Sequence, residues 1–232
     1  MAKKKTDAQG DKSLGNIESA LSKTELFIED NQKLLTNVLL VVLVVVFAII
    51  AGNRYILKPK NLEAASSMYI AERYFERDSF NLALNGYGTY PGFLDIIDEY
   101  KITKAAKLAK YYAGICYKEL GDAQTAIEYL SKFSTSDIMI GSAAQSSLGD
   151  AFSDLQEYEK AVKAYLEGAD KYENDFTTPI ILKKAGLVYE KMGEFDKAKE
   201  VFERIEKTYP DSAEGREMKK YIGRVAAKIN TL

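Results

Sequence analysis

An uncharged stretch, residues 34–52, constrains this chain more than any other part of its sequence. Its only polar side chains, Thr36 and Asn37, lie near one end, and residues 38–51 are all apolar. As a helix rising about 1.5 Å per residue, the stretch would cover roughly 29 Å, close to the hydrocarbon thickness of a bilayer. A helix in water needs a polar face, which this one lacks. The sequence therefore predicts a membrane span, with a buried core helix as the alternative.

The surroundings of this stretch favour a permanent anchor over a cleaved signal peptide. A signal peptide would need a leading region far longer than usual, and Ile49 and Ala51 fit its cleavage site poorly. A lipoprotein needs a cysteine just after the apolar run, where Asn53 and Arg54 stand instead. We therefore expect a cytoplasmic tail with an amphipathic segment at 1–33, a transmembrane helix at 34–57 and a polar domain at 58–232.

Composition argues against several classes of function. There is no histidine, so histidine-based triads, HExxH zinc sites and imidazole general bases are excluded. Basic and acidic residues number 32 and 34, so the basic excess of a nucleic-acid-binding protein is missing. No glycine-rich phosphate loop occurs. Cys116 is alone and reads as a small core residue. We predict no enzyme, no cofactor, no metal and no nucleic acid.

From residue 64 onwards, one spacing recurs four times. A small residue is followed by an aromatic residue at +3, an alanine at +12 and a large apolar residue at +16. The four windows are Ala71, Tyr74, Ala83 and Tyr87; Gly114, Tyr117, Ala126 and Leu130; Gly149, Phe152, Ala161 and Tyr165; and Gly186, Tyr189, Ala198 and Phe202.

This spacing resembles the tetratricopeptide repeat (TPR), whose period is about 34 residues. The resemblance implies helix pairs in which the small residue lets the two helices approach, with a turn glycine at positive φ between them. Stacked pairs would bury a continuous core, and residues 212–228 would form a capping helix. The expected fold is therefore all-α: one N-terminal transmembrane helix followed by a TPR solenoid with a C-terminal cap.

A solenoid of this kind presents a concave groove lined by the first helix of each pair. Only Lys118 and Lys183 are basic at the groove positions, so a clamp for a terminal carboxylate is disfavoured. A groove for an extended or helical apolar segment of a polypeptide fits better, although any of these side chains could instead pack on a neighbouring pair or on the cap. The predicted groove residues are Met68, Glu72, Phe75, Leu108, Tyr111, Ile115, Lys118, Ser146, Asp150, Ser153, Lys183, Leu187 and Glu190.

Two loops are further candidates for contact with a partner. Residues 86–92 combine three glycines, a proline and two tyrosines, interrupting the second helix of the first pair. Its candidate contact residues are Tyr87, Tyr90 and Phe93, because exposed aromatic side chains favour interfaces. The alternative is a harmless insertion. Residues 174–179 form a second candidate loop on weaker grounds.

The layout also resembles the YfgM-like ancillary subunits of the bacterial SecYEG translocon. The residues that carry this resemblance are 27–35, which lead into the apolar stretch. Residues 74–86 and 176–180 resemble single-span TPR membrane proteins of the Bacteroidota, and residues 209–212 are similar to envelope proteins of the outer-membrane assembly and Tol-Pal type. The resemblance implies a single-pass protein of the bacterial inner membrane, with a cytoplasmic N-terminus and a periplasmic repeat domain.

Charge alone favours the opposite orientation. Within about 20 residues of the span, basic residues are more numerous on its carboxyl side, as in a cytoplasmic domain. We follow the family resemblance and expect a membrane-anchored scaffold that assists the Sec translocon in export or in transfer to periplasmic chaperones. The alternative is a structural scaffold of an envelope or secretion complex that binds no client chains. Its partners would be SecYEG or another inner-membrane complex, polypeptide segments and the lipid bilayer.

Overall fold

The computed structural model describes residues 27–231 and shows a chain built from α-helices. The described residues divide into two units between Lys58 and Pro59. The part of the predicted amphipathic tail segment before residue 27 lies outside the described residues. In chain order the helices are α1 (Gln32–Gly52), a π-helical segment (Asn53–Leu57), α2 (Lys58–Phe75), α3 (Phe80–Asn85), α4 (Phe93–Glu99), α5 (Lys104–Glu119), α6 (Ala123–Ser131), α7 (Ile138–Asp154), α8 (Tyr158–Lys171), α9 (Thr178–Met192), α10 (Phe195–Thr208) and α11 (Ala213–Ile229).

Helix α1 carries the apolar stretch and buries none of its side chains. Within the described part of the chain, one helical run, Gln32–Phe75, is long and apolar enough to cross a membrane. Because its apolar window is wholly exposed, α1 is not a core helix of this chain. The predicted membrane span stays a prediction.

The second unit is a stack of helix pairs: α2 with α3 and α4, then α5 with α6, α7 with α8, and α9 with α10. A Cβ atom placed on Gly114 would lie 2.6 Å from Cγ of Leu130. A Cβ atom on Gly149 or Gly186 would likewise overlap the aromatic ring sixteen residues later. The +12 alanines of all four pairs are fully buried. The predicted pairing of a small residue with a large one is confirmed in the last three pairs.

The first pair departs from this pattern. Its second helix is split into α3 and α4, as the glycine-rich insertion predicted, but Tyr87 is exposed and does not fill the +16 position. The prediction that places Phe93 among the loop contacts is also wrong, because Phe93 is fully buried at the start of α4. Its ring stacks on Tyr112, with centroids 4.9 Å apart. An apolar ring at the first helical position gains more from this core than from solvent.

Turn residues end the first helix of each pair in the left-handed conformation. Gly121 and Gly193 follow α5 and α9 with φ of 85° and 80°, as predicted. At the equivalent positions of the other two pairs stand Asp78 and Gln156, with φ of 56° and 61°. These two non-glycine residues adopt a conformation that is costly for residues with a Cβ atom.

The final helix, α11, packs along α10 and closes the stack as the predicted cap. Ser212 caps its amino-terminal end, because its Oγ accepts a hydrogen bond of 2.9 Å from the amide of Gly215. Met218 and Val225 are fully buried on its inner side, and its other face is polar. The end of the core is thereby kept from water.

The tight crossing gives a prediction with a matched control. We expect Gly186→Ala to lower the free energy of unfolding by about 1–3 kcal/mol, since the added methyl group overlaps Phe202. Gly223→Ala in α11 meets no atom within 4 Å and should raise it by about 1 kcal/mol through helix propensity. Urea unfolding of the full chain in detergent, followed by circular dichroism, measures both. Equal effects of the two substitutions would contradict this packing.

The strained turn gives a second prediction. Gln156→Gly should raise the free energy of unfolding by about 0.5–1 kcal/mol, because relief of the positive φ outweighs the added freedom of the unfolded chain. Gly193→Ala is the reverse control, since its Cβ would meet no atom within 4 Å and only backbone strain changes. It should lower stability by about 1 kcal/mol. A loss of stability in Gln156→Gly would show that this turn is not strained.

Candidate functional site

The predicted groove residues all lie on the first helices of the pairs, α2, α5, α7 and α9. They occupy equivalent positions counted from the small residue of each pair, so the stack places them in register on one face. The contacts that each side chain makes within the protein distinguish positions that are open to a partner from positions that are already paired or packed.

On α2, two of the three predicted residues lie in the core or pack against it. Met68 is buried among the other core residues of the first pair. The ring of Phe75 lies 4.9 Å from that of Tyr112 and 6.3 Å from that of Phe93. Met68 is therefore not available to a partner, which corrects its placement in the groove, whereas Phe75 packs against this core and stays partly exposed. Glu72 is half-buried, and desolvation followed by the charge of Glu76 raises the pKa of its carboxyl group.

On α5, the predicted residues form an open apolar row. Leu108, Tyr111 and Ile115 are each partly exposed and lie along one side of the helix. The ring of Tyr111 packs 5.5 Å from that of Phe133, and burial raises the pKa of Tyr111 to about 12. Its hydroxyl therefore stays neutral. Lys118 ends the row and is paired with Glu119, with 2.7 Å between Nζ and Oε1.

On α7, the predicted polar residues hold two pairs together. Lys184 of α9 donates from Nζ to Ser146 Oγ at 2.9 Å and to both carboxylate oxygens of Asp150 at 2.9 and 2.7 Å. The hydroxyl of Tyr165 donates to Oδ1 of Asp150 at 2.7 Å. Burial, followed by the charge of Asp150 and this hydrogen bond, raises the pKa of Tyr165. These positions are therefore used inside the stack.

On α9, the predicted charged residues are bound by the cap. Lys183 donates from Nζ to Oε2 of Glu217 at 2.9 Å. Glu190 accepts from Arg224, and from Nζ of Lys228 at 3.2 Å, and its side chain is only 11% exposed. Charge at these positions therefore fastens α11 rather than facing a ligand.

The apolar positions of α9 remain open. Leu187, which the sequence predicts, and Ile180, which it missed, are each 38% exposed. Ile180 stands six residues before Gly186, as Leu108 stands six residues before Gly114, so the repeat spacing contains the signal that finds it. We call Leu108, Tyr111, Ile115, Ile180 and Leu187 the inner row.

The glycine-rich loop between α3 and α4 is ordered by its own hydrogen bonds. The amides of Tyr87 and Tyr90 each donate to the carbonyl of the other, both at 3.0 Å. Both tyrosine rings are exposed beside a cavity of about 340 Å³. Two of the three predicted contact residues are therefore presented on a fixed turn.

The metal-ligand groups and the single cysteine of the described residues bear on possible catalysis. Within residues 27–231, no group of three or more acidic or cysteine side chains comes together to hold a metal ion. Cys116 is fully buried, as predicted, and desolvation raises the pKa of its thiol to about 12. It is therefore an inert core residue.

Comparison with known proteins agrees with this architecture. The family model "Tetratricopeptide repeat" matches residues 108–136 and 184–212, which correspond to the pairs α5 with α6 and α9 with α10. No curated protein matches the chain. Among solved structures, the chain is similar to a kinesin-light-chain-like protein of Podosopora anserina with nearly identical TPR-like repeats, at 14% identity and a TM-score of 0.55. That match covers 75% of this chain and 89% of the other, and a variant of the same protein matches with 76% and 90% covered.

These similarities show the fold alone: an all-helical TPR-like solenoid. Proteins of this repeat type are generally scaffolds without catalytic activity, and the repeats indicate a surface for binding protein partners.

The fastening of the cap gives a prediction. Glu190→Gln keeps the shape of the side chain but removes its charge, so Arg224 and Lys228 lose their shared partner. We expect a loss of about 1–2 kcal/mol in unfolding free energy, together with faster amide hydrogen exchange in α11. Glu203→Gln, which breaks an exposed pair with Lys199, should cost about 0.5 kcal/mol or less. Unchanged exchange in α11 would show that Glu190 does not hold the cap.

Proposed function

We propose that this protein is a membrane-anchored scaffold whose inner row binds an apolar segment of a partner protein. The observation that carries the proposal is a difference between charged and apolar positions of the groove. Asp150, Lys183 and Glu190 are paired within the stack, whereas Ile180 and Leu187 are exposed and the apolar row on α5 is partly exposed. Exposed apolar side chains along a groove gain free energy when an extended or helical apolar segment covers them.

We propose further that the scaffold is an accessory subunit of a SecYEG-type translocon in the bacterial inner membrane. It would assist export or pass exported chains to periplasmic chaperones. Support comes from the exposed apolar helix α1 and from the resemblance of residues 27–35 to the YfgM-like family. A chain that leaves a translocon is unfolded and exposes apolar residues that it would otherwise bury, which suits the inner row.

A second candidate function is a structural scaffold of an envelope or secretion complex without client chains. The Tyr87–Tyr90 turn favours it, because a hydrogen-bonded turn that presents two aromatic rings suits one fixed partner. In that case the partner would bind the turn, and the inner row would contribute little.

Orientation is part of the proposal, with the tail in the cytoplasm and the repeat domain in the periplasm. Single cysteines at Asp7 and Lys228 test it through labelling by a membrane-impermeant reagent in intact cells whose outer membrane is permeable to it. Cys116 is buried, so the background from the native thiol is low. Labelling at Lys228 but not at Asp7 is expected, and the reverse pattern would place the repeat domain in the cytoplasm.

A photo-crosslinking amino acid separates the candidate functions. Placed at Ile115, it should capture a range of nascent secretory chains if the inner row binds clients. Placed at Lys163, an exposed site on the second helix α8, it should capture few. A single discrete product from Tyr87, with Ile115 no more reactive than Lys163, would favour the structural scaffold and overturn the client-binding role.

A separate experiment tests the proposed association with the translocon. SecYEG isolated from native membranes in mild detergent should contain this protein, and Ile115→Asp should leave that association unchanged while reducing the client crosslinks. Absence of the protein from SecYEG would overturn the translocon role and leave the binding role of the inner row intact.

A further inference from the structure

The loops that join successive helix pairs lie along one edge of the second unit. The amide of Lys104, at the start of α5, donates a hydrogen bond of 2.9 Å to Oδ1 of Asn61, near the start of α2. The amino-terminal ends of α2 and α5 are therefore neighbours. Any loop that leads into α5 shares an edge with the beginning of α2.

The same edge continues through the later pairs. The hydroxyl of Tyr172 donates to the carbonyl of Thr135 at 3.1 Å, which joins the loop before α9 to the loop before α7. The hydroxyl of Tyr209 donates to Oε1 of Glu173 at 2.9 Å, which joins the loop before α11 to the loop before α9. We call residues 100–103, 133–139, 172–177 and 208–212 the loop edge.

Apolar side chains project from three of the four segments of this edge. Ile102 is 65% exposed, Ile138 and Met139 are 49% and 47% exposed, and Phe176 is 71% exposed. None of these belongs to the buried core clusters. The turns at the other edge present Leu120 and Leu155, so exposure alone does not distinguish the two edges.

Connection to the anchor distinguishes them. The second unit begins at Pro59, at the start of α2, and the uncharged run ends at Gly52. The nine residues from Gly52 to Asn61 span at most about 30 Å, even when fully extended. The first segment of the loop edge, residues 100–103, is therefore joined to the end of the apolar stretch by a short length of chain, whereas the first turn at the other edge, residues 76–79, follows only after the whole of α2.

Charge along the loop edge is mostly acidic. Its single base, Lys101, is paired with Asp98 at 2.9 Å, whereas the other three segments contribute four carboxylates, Asp137, Glu173, Asp175 and Asp211. Such an edge has little net attraction for anionic lipid in particular. The apolar side chains therefore supply the favourable free energy of binding to the bilayer. Because the anchor already holds the chain at the membrane, even weak insertion is enough for this contact.

We propose that the loop edge rests on the surface of the bilayer that holds α1, with Ile102, Ile138, Met139 and Phe176 inserted at the level of the lipid headgroups. This rests on the proposed membrane anchoring. The ligand is the interfacial region of a phospholipid bilayer, where apolar side chains above a polar body are stabilised.

The test uses the full chain reconstituted into vesicles of zwitterionic phosphatidylcholine. An environment-sensitive fluorophore is attached at Phe176→Cys, at Ile102→Cys or, as the matched control at the far edge, at Leu120→Cys. Circular dichroism confirms that each variant is folded. We expect blue-shifted emission at Phe176 and Ile102, and about threefold stronger quenching by lipids spin-labelled near the headgroup than at Leu120.

Alkaline extraction of the same vesicles distinguishes a failure of membrane anchoring from a failure of loop-edge docking. A chain that resists extraction while its labels at residues 102 and 176 behave like the label at residue 120 overturns docking of the loop edge and leaves the anchor intact. A chain that is extracted overturns the anchoring, and docking of the loop edge falls with it. Quenching that appears only when anionic lipid is added would overturn insertion through apolar side chains.

Discussion

The close crossing of two helices within each pair is the interaction on which the rest of this fold depends. At Gly186 there is no room for a methyl group, because the ring of Phe202 occupies that space, and Gly149 meets Tyr165 in the same way. Such an approach buries the +12 alanine completely and sets the distance between the two helices of the pair. Register then follows, because each pair can stack on the next only with equivalent helices aligned.

The first pair shows what happens when this crossing is altered. Because of the insertion, the +16 residue Tyr87 is exposed and does not pack between the helices. The core instead contains a cluster of aromatic rings that includes Phe75, Phe93 and Tyr112. Within residues 27–231, this is the first helix pair of the stack. Because Phe75 and Phe93 both pack on Tyr112 of α5, this aromatic cluster buries apolar surface between the first pair and the next one.

Periodicity in the sequence was enough to predict the helix pairs, the cap, the turn glycines and the face on which the groove positions lie. It could not predict which of those positions stay open. Lys184 reaches Asp150 across 34 residues, and Arg224 reaches Glu190 across the same interval. A repeat spacing defines the face of a helix, whereas the reach of a long side chain from the next pair decides whether a carboxylate there is free. Phe93 was misplaced for a similar reason, since the pattern marked the insertion but not the residue where the helix resumes.

The inner row and the loop edge are built on the same helices, and this limits how they can act together. The amino-terminal end of α5 lies at the loop edge, and the helix is about 24 Å long. Leu108 and Tyr111 lie within its first two turns, so the apolar part of the groove begins beside that edge. If the edge rests on a bilayer, a segment bound there is held close to the membrane surface. A scaffold arranged in this way would select segments that are still near the membrane, which favours partners emerging from it over proteins in free solution.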